Sequence, residues 1–260
     1  MTQPSSAQPA EEPIILASAS PRRSQLLGEG GIPFHRFFVE VDEEGLSEAY
    51  RGPLLMLGEY LAGEKALATW RALVEHADAG RRVLASDTTV LLEGRSLAKP
   101  KDAAAAAAML RELRGREHTV ATGLALVDPA RGALLSTTSA TRVRMRDYSD
   151  AEIAAYVATG DPLDKAGSYS IQHPDFQPVE WLTGCHLGVI GLPVCLVWPL
   201  LGDARRMRVV TAPLPSDAPD CPWSARCTPP FPFLKPGIRR RLLPGVAGAA
   251  DSPDVSEAGG

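Results

Sequence analysis

Short apolar runs alternate with helix-forming segments along most of this chain, and that alternation limits the possible folds more than any other feature. Runs at residues 14–17 and 83–86 have the length of buried strands, and residues 54–75 carry apolar side chains near one helical face. Two longer runs, residues 119–127 and 134–145, flank an Asp-Pro-Ala-Arg-Gly turn and predict two adjoining strands. Because such strand pairs interrupt the strand–helix alternation, the pattern predicts an α/β protein with a mixed sheet.

Composition divides the chain into a central domain and two tails. The chain has 260 residues, of which 45% are hydrophobic, enough for one large domain with a core. Residues 1–12 are predicted to form a flexible tail, and residues 13–210 are predicted to form the domain. Residues 211–260 are rich in proline and small polar residues and are predicted to be disordered. We interpret their basic run, residues 239–241, as a solvated feature of that tail.

The charge of the chain argues against two classes of partner. A net charge of -4 leaves no polybasic surface for nucleic acid or for an anionic membrane, so any cationic site must be a local pocket. No apolar stretch has the length of a bilayer span, and the N-terminal residues lack a secretory pattern. We therefore expect a cytoplasmic protein. Its 4 cysteines form no CxxC pair, which favours reduced thiols over a zinc site.

The first candidate site is a helix start with unusual charge. The sequence Ser-Ala-Ser-Pro-Arg-Arg follows the first strand, with Ser20 as the predicted N-cap and Pro21 at the first helical position. A helix N-terminus attracts anions, so Arg22 and Arg23 forgo a favourable interaction of roughly 0.3–1 kcal/mol each that an acidic residue would make there. Two arginines beside two serines therefore favour a phosphate site. A surface helix with solvated arginines is the alternative.

Two further segments place charged side chains next to strands. Asp87 and Thr88 follow the predicted strand 83–86, where α/β sheets place their ligands, and Asp87 could hold a divalent ion or accept a proton. Lys99 precedes Pro100, which restricts its backbone to extended conformations and presents the ammonium at a defined point. Taken separately, each residue has an equally good alternative explanation. Asp87 could be an ordinary turn residue, and Lys99 could be a solvated loop lysine.

A polar loop at residues 161–172 is the last candidate. It contains Lys165, a single aromatic residue (Tyr169) and Gln172. The amide of Gln172 could read the edge of a base, and Tyr169 could pack against a sugar or a ring. In isolation this segment is only a polar loop.

Together these segments resemble the motifs of the Maf family of nucleotide pyrophosphatases. The resemblance covers about residues 13–200 and leaves out both tails. The four motifs that carry it are LASASPRRSQLL (16–27), SDTTV (86–90), AKPKD (98–102) and GDPLDKAGSYSIQ (160–172). Weaker similarities are the pair Asp42-Glu43, EKA (64–66) and GVIGLPV (188–194).

The resemblance implies a fold, a reaction and a set of site residues. The fold is a Maf-type, ITPase-like elongated mixed sheet with flanking helices around a central nucleotide cleft. The reaction is hydrolysis of a nucleoside triphosphate to the monophosphate and pyrophosphate, with Mg²⁺ or Mn²⁺ as cofactor. Asp87 matches the proton acceptor, and Asp87 and Glu43 match acidic residues near the metal. Positions that match substrate-binding residues are Ser18, Ser20, Arg22, Arg23, Lys65, Thr88, Lys99, Lys165 and Gln172.

The run DKAGSYSIQ resembles the subgroup that prefers dTTP and UTP, whereas another subgroup acts on 7-methyl-GTP. Members of the pyrimidine subgroup typically continue with glycine after this run, but His173 stands here. That departure leaves the base preference open, and it affects the expected reaction less. The alternative function is a non-catalytic nucleotide-binding regulator of septum formation. The predicted partner is the nucleoside triphosphate, and the sequence also allows a homodimer.

Overall fold

The computed structural model describes residues 12–202 and 238–243. Within these residues, one sheet of eight strands is flanked by seven α-helices. The strands are β1 (Ile14–Leu16), β2 (Phe34–Arg36), β3 (Val83–Leu92), β4 (Arg95–Leu97), β5 (Glu117–Asp128), β6 (Ala133–Met145), β7 (Val179–Thr183) and β8 (Arg239–Leu242). The helices are α1 (Pro21–Glu29), α2 (Glu43–Ala49), α3 (Leu57–Leu73), α4 (Ala103–Leu113), α5 (Asp150–Ala158), α6 (His186–Ile190) and α7 (Val194–Leu201).

The sheet combines parallel and antiparallel pairs, which confirms the predicted mixed α/β class. Its main strand order is β2-β1-β3-β5-β6-β7, with β4 beside β3 and β8 beside β6. Strands β2, β1 and β3 run parallel, whereas the pairs from β3 to β7 are antiparallel. The long pair β5–β6 is the predicted pair of strands, and a 3-10 turn (Pro129–Arg131) connects them.

Local capping explains where two of the helices begin. Ser20 caps α1 by accepting a hydrogen bond from the backbone of Arg23, and Pro21 opens the helix, as predicted. Ser149 and Glu152 have the S-x-x-E spacing of a capping box, and both reciprocal hydrogen bonds are present at the start of α5. Each cap satisfies backbone N–H groups that have no partner inside the helix.

Alternate residues of the central strands pack against different helices. Leu84 and Leu124 belong to the apolar cluster that contains α1 and α7, whereas Ala85 and Ala125 belong to the cluster that contains α3. Successive side chains of a strand point to opposite faces of the sheet. At these positions the sheet therefore separates a core on the side of α1 and α7 from a core on the side of α3. Farther along β3, Val90 and Leu92 belong to a third cluster, which contains α4 and α5.

Helix α3 approaches the sheet more closely than a side chain would allow. A Cβ placed on Gly123 of β5 would lie 2.1 Å from the backbone nitrogen of Glu59 in α3. Without a glycine at this position, helix and strand would have to move apart. This contact sets the position of α3, and Lys65 lies about 1.7 turns beyond Glu59 on the same helix.

The structure corrects several details of the sequence analysis. Strand β3 does not end at Ser86 but continues to Leu92, because its edges pair with both β5 and β4. Strand β2, helix α2 and strand β7 were not predicted from the sequence, because they are short and lack a strong periodic pattern.

The basic run at residues 239–241 is part of the fold and not of a tail. It forms β8, which pairs antiparallel with residues 133–136 of β6. Arg239 lies 3.4 Å from the carboxylate of Glu59, and Arg241 lies 3.6 Å from that of Glu64. Pairing with a strand edge and with two carboxylates of α3 corrects the assignment of this run to a tail, whereas its side chains are exposed, as interpreted. The predicted tail 1–12 and most of 211–260 lie outside the described residues.

Among residues 12–202 and 238–243, no helix combines the length and the apolar character needed to cross a bilayer.

Candidate active site

The candidate site lies beside a gap along one edge of β3. On that edge β1 pairs with β3 at Val83 and Leu84, and β4 pairs with it from Val90 onward. Asp87 and Thr88 lie between these two pairings, opposite Gly123 and Thr122 of β5. A break between neighbouring strands is where α/β sheets commonly bind ligands. The register of the sheet thus puts Asp87 and Thr88 beside this gap.

Lys65 joins the two acidic residues predicted for the site. Its Nζ lies 2.5 Å from Oδ1 of Asp87 and 2.9 Å from Oε1 of Glu43. The side chains of Lys65 and Asp87 are only 13% and 10% exposed, so water screens their interaction weakly. Lys99 adds a more distant contact, 4.0 Å from Oε2 of Glu43. Helices α2 and α3, strand β3 and the loop after β4 therefore converge on one charged cluster.

The charge of Glu43 is stabilised within this cluster. Burial raises the pKa of Glu43, but Lys65, Lys99 and Arg23 together outweigh burial and hold the pKa below its ordinary value. Glu43 is therefore ionised at neutral pH. Its carboxylate carries a full negative charge beside Lys65, which orients it.

Arg23 extends from the start of α1 toward the same cluster. Its Nε donates to the carbonyl of Gly191 at 3.0 Å, and its Nη1 donates to Oγ of Ser18 at 3.3 Å. Burial lowers the pKa of Arg23, while the carboxylates of Asp87 and Glu43 act in the opposite direction. Arg23 is therefore close enough to both carboxylates to interact with their charge.

Arg22 points into a separate pocket next to the charged cluster. Thr88, Lys165, Tyr169 and Gln172 line the same pocket, and its remaining wall is mostly apolar. The other lining residues are Val90, Val120, Ala166, Ser170, Ile171, Val189 and Ile190. Apolar walls with a few convergent polar groups are typical of a site for a small organic ligand.

Thr88 offers hydrogen-bond acceptor capacity to this pocket. Its Oγ1 lies 3.0 Å from Oγ1 of Thr122, which in turn donates to the carbonyl of Gly188 at 2.7 Å. Because a hydroxyl has one proton, Thr122 must accept from Thr88. The lone pairs of Thr88 can then accept a hydrogen bond from a ligand.

Lys165 is held at the pocket wall by acidic neighbours. Its Nζ lies 2.9 Å from Oδ1 of Asp161 and 2.6 Å from Oδ1 of Asp164. Asp164 also lies 3.6 Å from Arg22. Tyr156 donates to the other oxygen of Asp161 at 2.7 Å, which fixes that carboxylate. The loop after α5 is thus linked to the start of α1 by opposite charges.

The predicted site residues therefore divide into two neighbouring groups. Asp87, Glu43, Lys65, Lys99 and Arg23 form the charged cluster, and Arg22, Thr88, Lys165 and Gln172 line the pocket. Ser18 and Ser20 contact Arg23 at the start of α1. The side chains of Asp87 and Thr88 leave opposite faces of β3. Arg23 shares the carbonyl of Gly191 with Ser86, on the Thr88 side of the strand, and interacts with Asp87 and Glu43 through their charge.

Several residues that build the site carry no strong sequence signal. The carbonyl of Gly191 accepts hydrogen bonds from both Arg23 and Ser86, the latter at 2.8 Å. Thr122 and Gly188 hold Thr88 as described above. Gly188 and Gly191 belong to the weak GVIGLPV similarity, which was the only available sign of their role.

Residues 13–204 match the family described as Maf-like protein. The chain belongs to the Maf family. Three Maf relatives are each named dTTP/UTP pyrophosphatase. That of Thermomicrobium roseum is 47% identical over 192 residues, which covers 74% of this chain and 84% of the relative. That of Geobacter metallireducens is 40% identical over 199 residues, 76% of this chain and 98% of the relative. That of Chromobacterium violaceum is 42% identical over 181 residues, which covers 70% of this chain and 89% of the relative. The Maf match ends before β8, so that strand lies outside the family region.

Proposed function

We propose that this chain hydrolyses nucleoside triphosphates, with dTTP and UTP as preferred substrates, to nucleoside monophosphate and pyrophosphate. The observation that carries the proposal is the charged cluster in which Lys65 contacts both Asp87 and Glu43 beside a pocket with an amide side chain. The names of the Maf relatives support the same reaction and the same substrates.

The cations around the cluster suit a triphosphate. Arg22 and Arg23 follow the N-cap of α1, where backbone N–H groups and the helix dipole also favour an anion. The side chain of Lys99 is 60% exposed and lies 4.0 Å from Glu43, its ion-pair partner, so its ammonium can also meet a phosphate. A guanidinium can hold two phosphate oxygens at once, so the arginines orient the chain of phosphates while Lys99 adds charge.

In the proposed reaction, water attacks the α-phosphorus and the bond from that phosphorus to the bridging oxygen breaks. The electron pair of that bond leaves with pyrophosphate, and Asp87 accepts a proton from the attacking water. Lys65 holds the carboxylate of Asp87 in place through the 2.5 Å contact. Arg23 and Lys99 offset the negative charge that develops on the leaving pyrophosphate.

A divalent cation fits the two carboxylates of the cluster. No group of three or more His, Cys, Asp or Glu side chains within the described ranges is arranged to hold a metal ion. Mg²⁺, however, is commonly bound by one or two carboxylates together with substrate phosphates and water, which matches Asp87 and Glu43. Held there, Mg²⁺ or Mn²⁺ would supply charge neutralisation on the triphosphate. Lys65 keeps the two carboxylates together, and so preserves a pair of oxygen ligands.

The pocket beside the cluster suits the base and sugar. Gln172 can donate and accept through its amide, which matches the alternating acceptors and donor on the edge of uracil or thymine. The apolar wall can cover the face of the ring. His173, which replaces the usual glycine, packs against Tyr156 with ring centroids 4.8 Å apart. It is not among the residues that line the pocket, so we infer that the pyrimidine preference does not depend on it directly.

Pyrophosphate release from a panel of nucleotides, including dTTP, UTP, dCTP, GTP and 7-methyl-GTP, tests the proposal in the presence of Mg²⁺ or Mn²⁺. We expect Asp87→Asn to lower kcat by about 100- to 10,000-fold, because the amide cannot accept the proton. Asp147→Asn is the matched control, since Asp147 is an exposed aspartate outside both groups. Full activity in a folded Asp87→Asn protein would show that Asp87 is neither proton acceptor nor essential ligand. Nucleotide binding without any pyrophosphate release by the wild type would instead support the non-catalytic regulator. A cytoplasmic location and a homodimer stay predictions.

A further inference from the structure

A buried histidine lies behind the pocket and contacts its aromatic wall. His118 of β5 is 4% exposed, and its Nε2 lies 2.7 Å from the phenol oxygen of Tyr169. The two rings meet edge to face, with centroids 5.5 Å apart and an interplanar angle of 82°. Two residues further along the same strand, Val120 lines the pocket itself. Strand alternation puts His118 and Val120 on the same face, so His118 supports the pocket from behind.

Packing alone does not account for a histidine at this position. The surrounding cluster is apolar, and burial lowers the pKa of His118 to about 4, so its ring is neutral at physiological pH. Its Nδ1 is buried and has no hydrogen-bond partner within the described part of the chain. A buried polar group without a partner is unfavourable, and a leucine would avoid that penalty. The Tyr169 hydrogen bond is therefore the specific interaction that this imidazole provides.

Tyr169 is well placed to transmit this interaction to a ligand. It is 6% exposed, lines the pocket and lies three residues before Gln172 in the same loop. The loop needs an anchor of this kind, since it contains Gly167 and Ser168 with positive φ angles of 72° and 59°. Bonding the phenol to β5 ties the loop to the sheet, which keeps the ring and the following Gln172 in a defined relation.

We propose that His118 is a positioning residue for base recognition, holding Tyr169 as a fixed wall of the pocket through their hydrogen bond. This inference rests on the proposed nucleotide function, and it adds a residue to which neither the motifs nor the names of the relatives assign a role. His118 does not touch the base; it acts through Tyr169. Without the His118–Tyr169 hydrogen bond the Tyr169 ring is less well fixed, so nucleotide affinity falls while the charged cluster stays unchanged.

The test is a double-mutant cycle of His118→Leu and Tyr169→Phe in the full chain. KM and kcat are measured with UTP and dTTP, and Kd is measured by calorimetry with α,β-methylene dUTP. We expect either single substitution to raise KM and Kd by about 3- to 10-fold, with kcat changed by less than about twofold. The double variant should bind nucleotide no more weakly than the single variant with the lower affinity, because both substitutions remove the same hydrogen bond. His118→Gln, whose side-chain amide can donate to or accept from the phenol, should recover part of the affinity.

Thr137→Val serves as the matched control. Thr137 is 1% exposed on the neighbouring strand β6, and its hydroxyl also has no partner within the described residues, but it does not line the pocket. Its substitution should leave KM unchanged. Unchanged Kd in folded His118→Leu, or losses that multiply in the double variant, would overturn the inference. A wild type that binds the analogue but hydrolyses no nucleotide would overturn the proposed reaction, while the Kd ratios would still decide the role of His118.

Discussion

Replacing Lys65 by methionine removes the cation that joins Asp87 and Glu43. The ammonium lies 2.5 Å from one carboxylate and 2.9 Å from the other, and methionine keeps similar bulk without charge. The variant leaves two negative charges close together, one of them on a side chain that is only 10% exposed. We expect the Lys65→Met variant to be inactive and to be less stable than the wild type at neutral pH.

The size of the effect follows from burial. Removing one partner of a buried ion pair destabilises a protein by about 3–5 kcal/mol, because the remaining charge is left uncompensated. The side chain of Glu43 is 43% exposed, so solvent screens its interaction with Lys65. We therefore expect a loss of stability at the lower end of that range. For a domain of this size, about 3 kcal/mol corresponds to a fall in Tm of roughly 6–12 °C.

The difference in Tm should depend on pH. The pKa of Glu43 is lower in the folded protein than its ordinary value, so its stabilising contribution is present at neutral pH and is lost as pH falls through the folded pKa. In Lys65→Met the main cation that lowers this pKa is gone, while burial still raises it. Protonation then relieves the variant already as pH falls toward about 4.3, the ordinary pKa of glutamate, whereas the wild type loses the contribution of Glu43 only below that value. The two melting curves should therefore approach each other as pH falls.

Thermal unfolding followed by circular dichroism between pH 7.5 and pH 4, in the presence of EDTA, measures this difference. Lys101→Met is the control, because Lys101 is an exposed lysine close to the site. Its Tm should match that of the wild type at every pH. A folded Lys65→Met protein with the wild-type Tm, or with a Tm difference that does not change with pH, would refute the proposed role of Lys65 as the bridge between the two carboxylates.

Two further substitutions test the pocket and the placement of α3. Gln172→Ala should change the ranking among nucleotides more than it changes the best kcat, and an unchanged ranking in the pyrophosphate assay would remove Gln172 from base recognition. Gly123→Ala should lower the free energy of unfolding by about 1–3 kcal/mol or more in a denaturant titration, because its Cβ would lie 2.1 Å from the backbone of Glu59. Gly63→Ala in α3 is its control, since the nearest atom to that Cβ is 3.6 Å away and alanine favours a helix interior.

The sequence was informative wherever a structure depends on neighbouring residues. Ser20 and Pro21 predicted the start of α1, and the strands β5 and β6 were recognisable from two apolar runs around a turn. The family motifs also supplied the candidate residues of the site. Their distribution between the charged cluster and the pocket was not predictable, because Arg22 and Arg23 are adjacent in sequence, yet Arg22 lines the pocket and Arg23 donates to Ser18 and Gly191.

Capping, turn chemistry and apolar periodicity act over a few residues, so the chain itself determined its helix starts, its mixed sheet and its set of candidate charges. Only the tertiary structure decided which of those charges meet. The Lys65–Asp87 contact spans 22 positions, the Arg23–Gly191 hydrogen bond spans 168, and the His118–Tyr169 pair joins a strand to a distant loop. Strand β8 likewise depends on an edge of β6 and on two carboxylates of α3. Such contacts depend on strand register and on close packing, as at Gly123, and no local pattern of residues specifies either.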